Sequence, residues 1–304
     1  MINRYQYNEL VWIDIESPTA GDIEEIANEF DLGPLLIEEL LTPTAKPRTD
    51  MYPDFVYTVL HFPAMRYTHG LETDHEIDII LGSKFMITAH YSTASATYDL
   101  ARTFEATTLL HRTSKKINVG HIFLELAQRL YQAADNELDA LEGVTADIED
   151  NIFDGKEREM VTAISYTHRE LLTHKRLIST HHDSLQVLEK ATRTLFGETY
   201  AHQIRAAVAL HYRVYNRVLT MHDILNELRE TNMALLYTRQ NEIMKNLTII
   251  AFITFPLTLL AAVFGMNTVG TPLVDHPQGF WIIVTGMAIL TFLFFAYFKA
   301  KKWF

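Results

Sequence analysis

Two uncharged apolar runs near the C-terminal end constrain this chain more than any other feature. Leu247 to Phe264 is a run of about 18 residues without an ionisable side chain, roughly 27 Å long as a helix at 1.5 Å per residue. Phe280 to Phe298 is a second run, of about 19 residues. Each approaches the ~30 Å hydrocarbon core of a bilayer, the first at the lower limit. A short Gly/Pro-containing loop joins them and a lysine cluster follows, so the pair reads as two transmembrane helices rather than buried core helices. Two spans cannot enclose a pathway within one chain. A polar route through the membrane would need several copies around an axis. The groups such an assembly presents where the first span meets water are those of AAVFGMN, ending in Gly265, Met266 and Asn267.

The 304 residues are 48% hydrophobic and 21% charged, an average that hides a segregation. Nearly all the charge precedes Lys245, and nearly all the uninterrupted apolar sequence follows it. The formal net charge of -12 argues against nucleic acid as a partner and against broad adhesion to anionic lipid. Such a charge serves solubility, and it also attracts cations. The chain has no cysteine, which excludes disulfides, thiolate metal sites and iron–sulfur clusters. The opening MINRYQYNELVWIDIES has no basic segment followed by a long apolar core. It does not read as a secretory signal, and the soluble part is expected on the side of synthesis.

Basic residues near span ends set orientation. Arg239 and Lys245 precede the first span, and Lys299, Lys301 and Lys302 follow the second. The connecting TVGTPLVDHPQG has neither Lys nor Arg. Both termini are therefore expected in the cytoplasm, in a multi-pass protein of the cytoplasmic membrane. Trp281 and Trp303 would sit near opposite interfaces. Pro256 lacks a backbone donor and should bend the first span.

Up to about residue 115 the pattern alternates between strand and helix. VWIDI reads as a strand, and SPTAGDIEEIANEF as a helix capped by Ser17 or Thr19. GPLLIEELL is a short helix stopped by Pro43. DFVYTVLHF, HEIDIILG and KFMITAHYS, rich in β-branched and aromatic residues, read as three more strands. No P-loop or dinucleotide fingerprint is present. From Ile117 the chain reads as helix, turning at DGK (Asp154 to Lys156) and breaking at Phe196-Gly197. The third helix has no Pro or Gly until Pro256, so it should continue into the first span for about 65 residues, near 95 Å. The expected organisation is an α/β cytoplasmic domain (1–115), an antiparallel helical pair (116–196), a stalk helix (197–246), a first transmembrane helix (247–264), an external loop (265–279), a second transmembrane helix (280–298) and a basic cytoplasmic tail (299–304).

Stepping by four and three along the long helix gives Glu230, Ala234, Tyr237, Asn241, Met244, Thr248, Ala251, Phe255, Thr258, Ala262 and Gly265. This is a sustained heptad stripe. Small residues also suit an ordinary membrane-helix interface. Asn241 and Thr258, on the face that ends near Asn267, favour lining of a polar pathway.

NEIMKNLTIIAFITFPLTLLAAVFGMN resembles the first membrane segment of the CorA-type divalent-cation transporters, the two-span GxN superfamily. The likeness rests on Gly265-Met266-Asn267 and on Asn241, Met244, Lys245, Leu247, Thr248, Pro256 and Thr258 before them. It extends to the C-terminal FKAKKWF and, more weakly, to VWIDI, to GPLLIEELL followed by KPR, and to FMITAH. The resemblance implies a CorA-like funnel: a homopentamer with the α/β domain as its cytoplasmic mouth and the long helix lining the pore. It implies that Asn267 holds a hydrated cation at the outer entrance. Mg²⁺ gives up water reluctantly, and amide carbonyls can accept hydrogen bonds from its water shell without stripping it. It further implies a polar ring at Asn241, apolar constrictions at Met244, Leu247 and Phe255 able to gate by dewetting, and an acidic ring at Glu230.

Two departures stand out. Many members carry an acidic Met-Pro-Glu loop after the signature, whereas here Asp275 is the loop's only acid. That loop looks more like the Zn²⁺-transporting, ZntB-like branch. The family's regulatory cation site pairs an acid of the short helix with one on a neighbour's stalk. Glu39 matches the first, but the stalk position is Ala206, with Glu38, Asp223 and Glu227 as other candidates. Lys245, Lys299, Lys301 and Lys302 would form the family's basic ring, or serve as positive-inside anchors. The acids Asp147, Glu149, Asp150, Asp154, Glu157 and Glu159 read as a solvated helix tip. His181-His182-Asp183 reads as surface rather than a zinc site, lacking a partner at the needed spacing.

The expected function is divalent metal-cation transport through a central pore, with Mg²⁺ as default substrate. Zn²⁺, Co²⁺ or Ni²⁺ transport, with or without proton coupling, is the alternative. Outside that class stands a membrane-tethered sensor or scaffold. No nucleophile–base or metal-ligand motif points to an enzyme. No cofactor is expected beyond the transported cation. The expected partners are copies of the chain itself, the lipid bilayer and divalent cations.

Overall fold

The β-branched strings form the centre of one six-stranded sheet. Its strands are β1 (Ile2–Tyr7), β2 (Leu10–Glu16), β3 (Arg48–Met51), β4 (Phe55–Phe62), β5 (His75–Gly82) and β6 (Phe85–His90). They lie in the order β1-β2-β6-β5-β4-β3. β2 and β6 run parallel, with Ile13 beside Ile87, and every other pair is antiparallel. The four inner strands are the ones with apolar runs. β1 and β3 are edges with half-exposed, largely polar sequences, INRYQY and RTDM.

A computed structural model describes residues 1–44, 46–68, 70, 74–91, 100–102, 117–266, 273 and 276–301. Asn267, Asp275, Lys302 and Trp303 lie outside the described residues. The chain divides into two units, Met1–Arg229 and Glu230–Phe304.

In the first unit α1 (Ala20–Phe30) starts at Thr19, not Ser17. The Thr19 hydroxyl accepts from the Asp22 amide while Asp22 accepts from Thr19, a reciprocal cap. α2 (Pro34–Glu39) begins with Pro34 in its first turn, where a missing donor costs nothing. Ile23, Ile26, Leu36 and Leu40 cover one face of the sheet over Ile13, Tyr57, Ile80 and Ile87. β4 and β5 are buried along almost their whole length, as strands covered on both faces must be. The other cover is α3 (Val119–Phe153) and α4 (Glu157–Phe196), which turn at Asp154–Lys156. α5 (Glu198–Gly265) follows Gly197, whose φ of 88° suits glycine. α5 passes through Pro256 as one helix of 68 residues. Arg217 of α5 holds Asp135 at 2.9 Å and Glu142 at 2.6 Å, both on α3.

The histidine pair on α4 corrects one expectation. His181 is fully buried rather than on the surface, His182 is half-buried, and only Asp183 is exposed. The His181 Nε2–H donates to the His61 carbonyl at 2.8 Å, so its Nδ1 accepts from the Tyr131 hydroxyl at 2.9 Å. A buried polar ring with both nitrogens matched costs little. Among the described residues, no group of three or more His, Cys, Asp or Glu side chains could hold a metal ion. Most of the acidic tip is exposed as expected, but Glu157 is buried.

Burial holds His181 neutral, its pKa falling to about 3, and also lowers His168, His174 and His211. These groups protonate more readily in the unfolded chain, so stability falls as pH drops below about 6.5. Asp78, raised to about 7 by burial and by Glu76, works in the opposite sense. So does His61, raised by the Glu76 carboxylate against the effect of its burial. Four imidazoles against these two give a midpoint of thermal unfolding that should fall by several degrees between pH 7.5 and 5.5. Thermal melts across that range test it, and a rising midpoint would show that Asp78 dominates.

Candidate functional site

The second unit contains the Glu230–Gly265 part of α5 and α6 (Gly279–Ala300). Both carry apolar stretches long enough to cross a membrane. Among the partly or fully buried residues of α5 here, Lys245, Ile249, Ile253, Pro256, Leu260 and Phe264 form one row, with Thr248, Ala251 and Leu257 flanking it. On α6 they step through Ile283, Met287, Leu290, Phe294 and Phe298. Spacings of three and four place each set on one face. The faces meet where Phe252 and Phe298 touch edge-on, with ring centroids 6.4 Å apart. Ile249 and Phe298 are the buried apolar anchors.

The heptad stripe lies off that face. Glu230, Ala234, Tyr237, Asn241, Met244, Phe255, Thr258, Ala262 and Gly265 are exposed, while Thr248 and Ala251 are half-buried. Leu247 is also exposed. α6 thus leaves most of the stripe uncovered, Thr248 and Ala251 being the half-buried exceptions. The Thr258 hydroxyl donates to the Thr254 carbonyl at 2.9 Å, and Thr248 does the same to Met244 at 2.8 Å. Their donors are spent within the helix, so their outward lone pairs remain as acceptors. A Cβ added at Gly265 would meet nothing within 4 Å. Contacts within one copy therefore do not explain a glycine there. Met266 is exposed beside it. Lys245 is half-buried, and Lys299 and Lys301 are exposed.

Glu39 lies in the first unit and already has a cation. As the last residue of α2 it forms an ion pair with the Arg48 guanidinium, which also holds Asp50 at 2.9 Å. Arg48 lies 5.7 Å from the centre of the Tyr57 ring, a cation–π contact. Hydrogen bonding to Glu39 raises the Arg48 pKa, against its burial. The Tyr91 hydroxyl, which donates to Asp78 at 3.2 Å, stands 3.4 Å from the Glu39 main-chain carbonyl. Of the other candidates, Glu38, Asp223 and Glu227 are exposed and Ala206 is half-buried. Sequence reasoning missed Arg48. Its signal was the KPR string after the short helix, which only the pairing of β3 with β4 turns into a contact.

An α/β domain and three long helices, the last of which carries one membrane-length apolar stretch and is followed by a second apolar helix, define a class of two-span membrane protein. Residues 7–301 match the family model described as "CorA-like Mg2+ transporter protein". The chain belongs to the CorA-like Mg²⁺ transporter family, a family of membrane ion transporters. It is 26% identical to the "Cobalt/magnesium transport protein CorA" of Thermotoga maritima, covering 96% of this chain and 83% of that one. Among solved structures it matches the complete CorA magnesium transporter from Methanocaldococcus jannaschii, with a TM-score of 0.84 at 18% identity, over 99% of this chain and 93% of that one. It also matches the ZntB cytoplasmic domain from Vibrio parahaemolyticus, with a TM-score of 0.61 at 15% identity, over 76% of this chain and 88% of that one. These likenesses show the fold: an N-terminal α/β domain, long helices and two C-terminal apolar helices.

A guanidinium already on Glu39 leaves that carboxylate little to offer a second cation. Low-millimolar Mg²⁺ should therefore barely change the protease sensitivity of the wild-type soluble unit. Arg48→Gln should make that sensitivity Mg²⁺-dependent. Limited proteolysis with and without Mg²⁺ decides, and strong protection of the wild type would mean that the arginine is displaced.

Proposed function

We propose that this chain moves a hydrated divalent metal cation, Mg²⁺ by default, across the cytoplasmic membrane through a pore built by five copies. The observation that carries the proposal is the stripe from Glu230 to Gly265. It alternates polar or small residues (Asn241, Thr248, Ala251, Thr258, Ala262, Gly265) with large apolar ones (Met244, Phe255), and α6 leaves most of it exposed. Facing inward around an axis, it gives an acidic ring at Glu230, an amide ring at Asn241, and apolar constrictions at Met244, Leu247 and Phe255. Beyond them follow hydroxyl acceptors at Thr258 and the small residues Ala262 and Gly265. Neutral oxygens suit an ion that keeps its water, because carboxylates within the span would be costly and would hold the ion too tightly. Asn267 supplies the outer ring in this reading, and both termini face the cytoplasm with Lys245, Lys299, Lys301 and Lys302. Glu39, the acid at the family's regulatory position, is paired with Arg48 and plays no part in gating in this reading. A second reading, transport of Co²⁺ or another transition metal, draws on the name of the Thermotoga maritima relative.

Native mass spectrometry in detergent should find a pentamer, and a stable monomer or dimer would remove the central pore. In proteoliposomes with competing divalent cations, Asn267→Ala should cut Mg²⁺ uptake by about tenfold or more while assembly is kept, as expected for loss of a selectivity ring. Wild-type flux in a correctly assembled variant would sink the assignment. A preference for Co²⁺ in the wild type would select the second reading.

Phe255 is 72% exposed in the single copy, the most exposed large side chain on the stripe. Phe255→Ala should wet the pore and raise basal leak severalfold. An unchanged leak, with residue 255 reached by a lipid-phase label, would mean the helix is rotated from this assignment.

A further inference from the structure

The other side of the second unit carries a groove that the transport reading does not use. Its volume is about 660 Å³. One wall is Phe252 of α5, and the floor is Leu290, Phe294 and Phe298 of α6. Leu293 and Tyr297 form its outer rim, each more than half exposed. These α6 residues follow one another at helical spacing down a single face, and the next position on that face is Lys301, which closes the groove. From Leu290 to Lys301 the helix rises about 16 Å at 1.5 Å per residue. That is about half of a ~30 Å hydrocarbon core. The groove therefore has the depth of one leaflet, an apolar aromatic wall along that depth and, among the described residues, one ammonium at its end.

We infer that this groove binds one anionic phospholipid, with an acyl chain along Leu290–Phe298 and the phosphate at Lys301. Three observations point to lipid rather than to a second copy of the chain. First, the lining has no small residue through which another helix could approach closely, whereas the small-residue stripe lies elsewhere on α5. Second, a second copy seated here would bring its own Lys299 and Lys301 to the same level, so like charges would meet, while a phosphate complements them. Third, Tyr297 stands one turn before Lys301, where a phenol can donate to a phosphate or ester oxygen at the interface. The net charge of -12 does not oppose this, because the segment from Leu247 onward holds one acid, Asp275, against three lysines. The inference rests on the membrane placement of α6 and not on the transport reading.

The test uses the full chain extracted in mild detergent. Delipidated protein is incubated with phosphatidylglycerol or phosphatidylcholine, and retained lipid per subunit is read by native mass spectrometry. The wild type should retain phosphatidylglycerol about fivefold more than phosphatidylcholine, the factor one lysine near a membrane surface provides. Lys301→Gln should abolish that preference, and Lys301→Arg should keep it. Lys299→Gln, on a different face, should leave it intact. Leu293→Trp should fill the groove and lower retention of both lipids. Equal retention of the two lipids by the wild type, or an undiminished preference in Lys301→Gln, would overturn the inference. So would efficient cross-linking of a cysteine at 293 to the neighbouring subunit, which would place protein in the groove. None of these readouts depends on ion flux, so a failed pore assignment and a failed lipid site are distinguishable.

Discussion

Hydrocarbon offers no hydrogen bonds, and that fact governs the second unit. Each backbone N–H and C=O in the span must be satisfied within its own helix, so the segment can only be helical. Side chains meet the same demand. Thr248 and Thr258 turn their donors back onto the helix, keeping polar oxygens in an apolar segment without an orphaned proton. Pro256 removes one donor, yet α5 continues through it as one helix. Like Thr248 and Thr258, Thr291 of α6 turns its donor back, to the Met287 carbonyl at 2.8 Å, so these hydroxyls enter both helices with their protons already placed.

The first unit solves the opposite problem, since its polar groups are buried by protein rather than by lipid. β5 carries His75, Glu76 and Asp78 inside the sheet, all buried. Glu76 accepts from the Thr44 amide and hydroxyl at 2.9 Å and meets the His61 Nε2 at 3.0 Å. Asp78 accepts from the Tyr57 hydroxyl at 2.9 Å and from Tyr91 at 3.2 Å. Buried charge is tolerated only with such partners. Tyr91 of that network also stands beside the main-chain carbonyl of Glu39, so the network borders the end of α2.

How much of this was legible in the sequence follows from where the signal resides. β2, β4, β5 and β6 announce themselves because strands buried on both faces are rich in β-branched and aromatic residues, even where β2 and β5 bury acids. β1 and β3 do not, because an edge strand half in water carries polar residues that match no template. The third long helix was readable from the absence of Gly and Pro before Pro256, and Thr19 was one of two possible caps. His181 was misread for a physical reason: a His-His-Asp triplet looks solvated until another element supplies Tyr131 and the His61 carbonyl as partners. The stripe was visible as a heptad pattern in one continuous helix. Arg48 was not, because its partner Glu39 belongs to a different element and the pairing depends on β3 joining β4.

Arg48 also bears on what regulation this chain can have. A carboxylate that binds a free cation reports that cation's concentration, because the ligand leaves as the concentration falls. A guanidinium tethered nine residues along the same chain stays at high local concentration, and its charge persists at any physiological pH. Asp50 on one side and the Tyr57 ring beneath favour the Glu39–Arg48 pair, so a free cation has to compete with it. In the pore reading, with this acid neutralised within its own protomer and Ala206 at the matching stalk position, opening has to be set elsewhere. The exposed apolar residues Met244, Leu247 and Phe255 are then the elements whose wetting decides whether a hydrated ion passes.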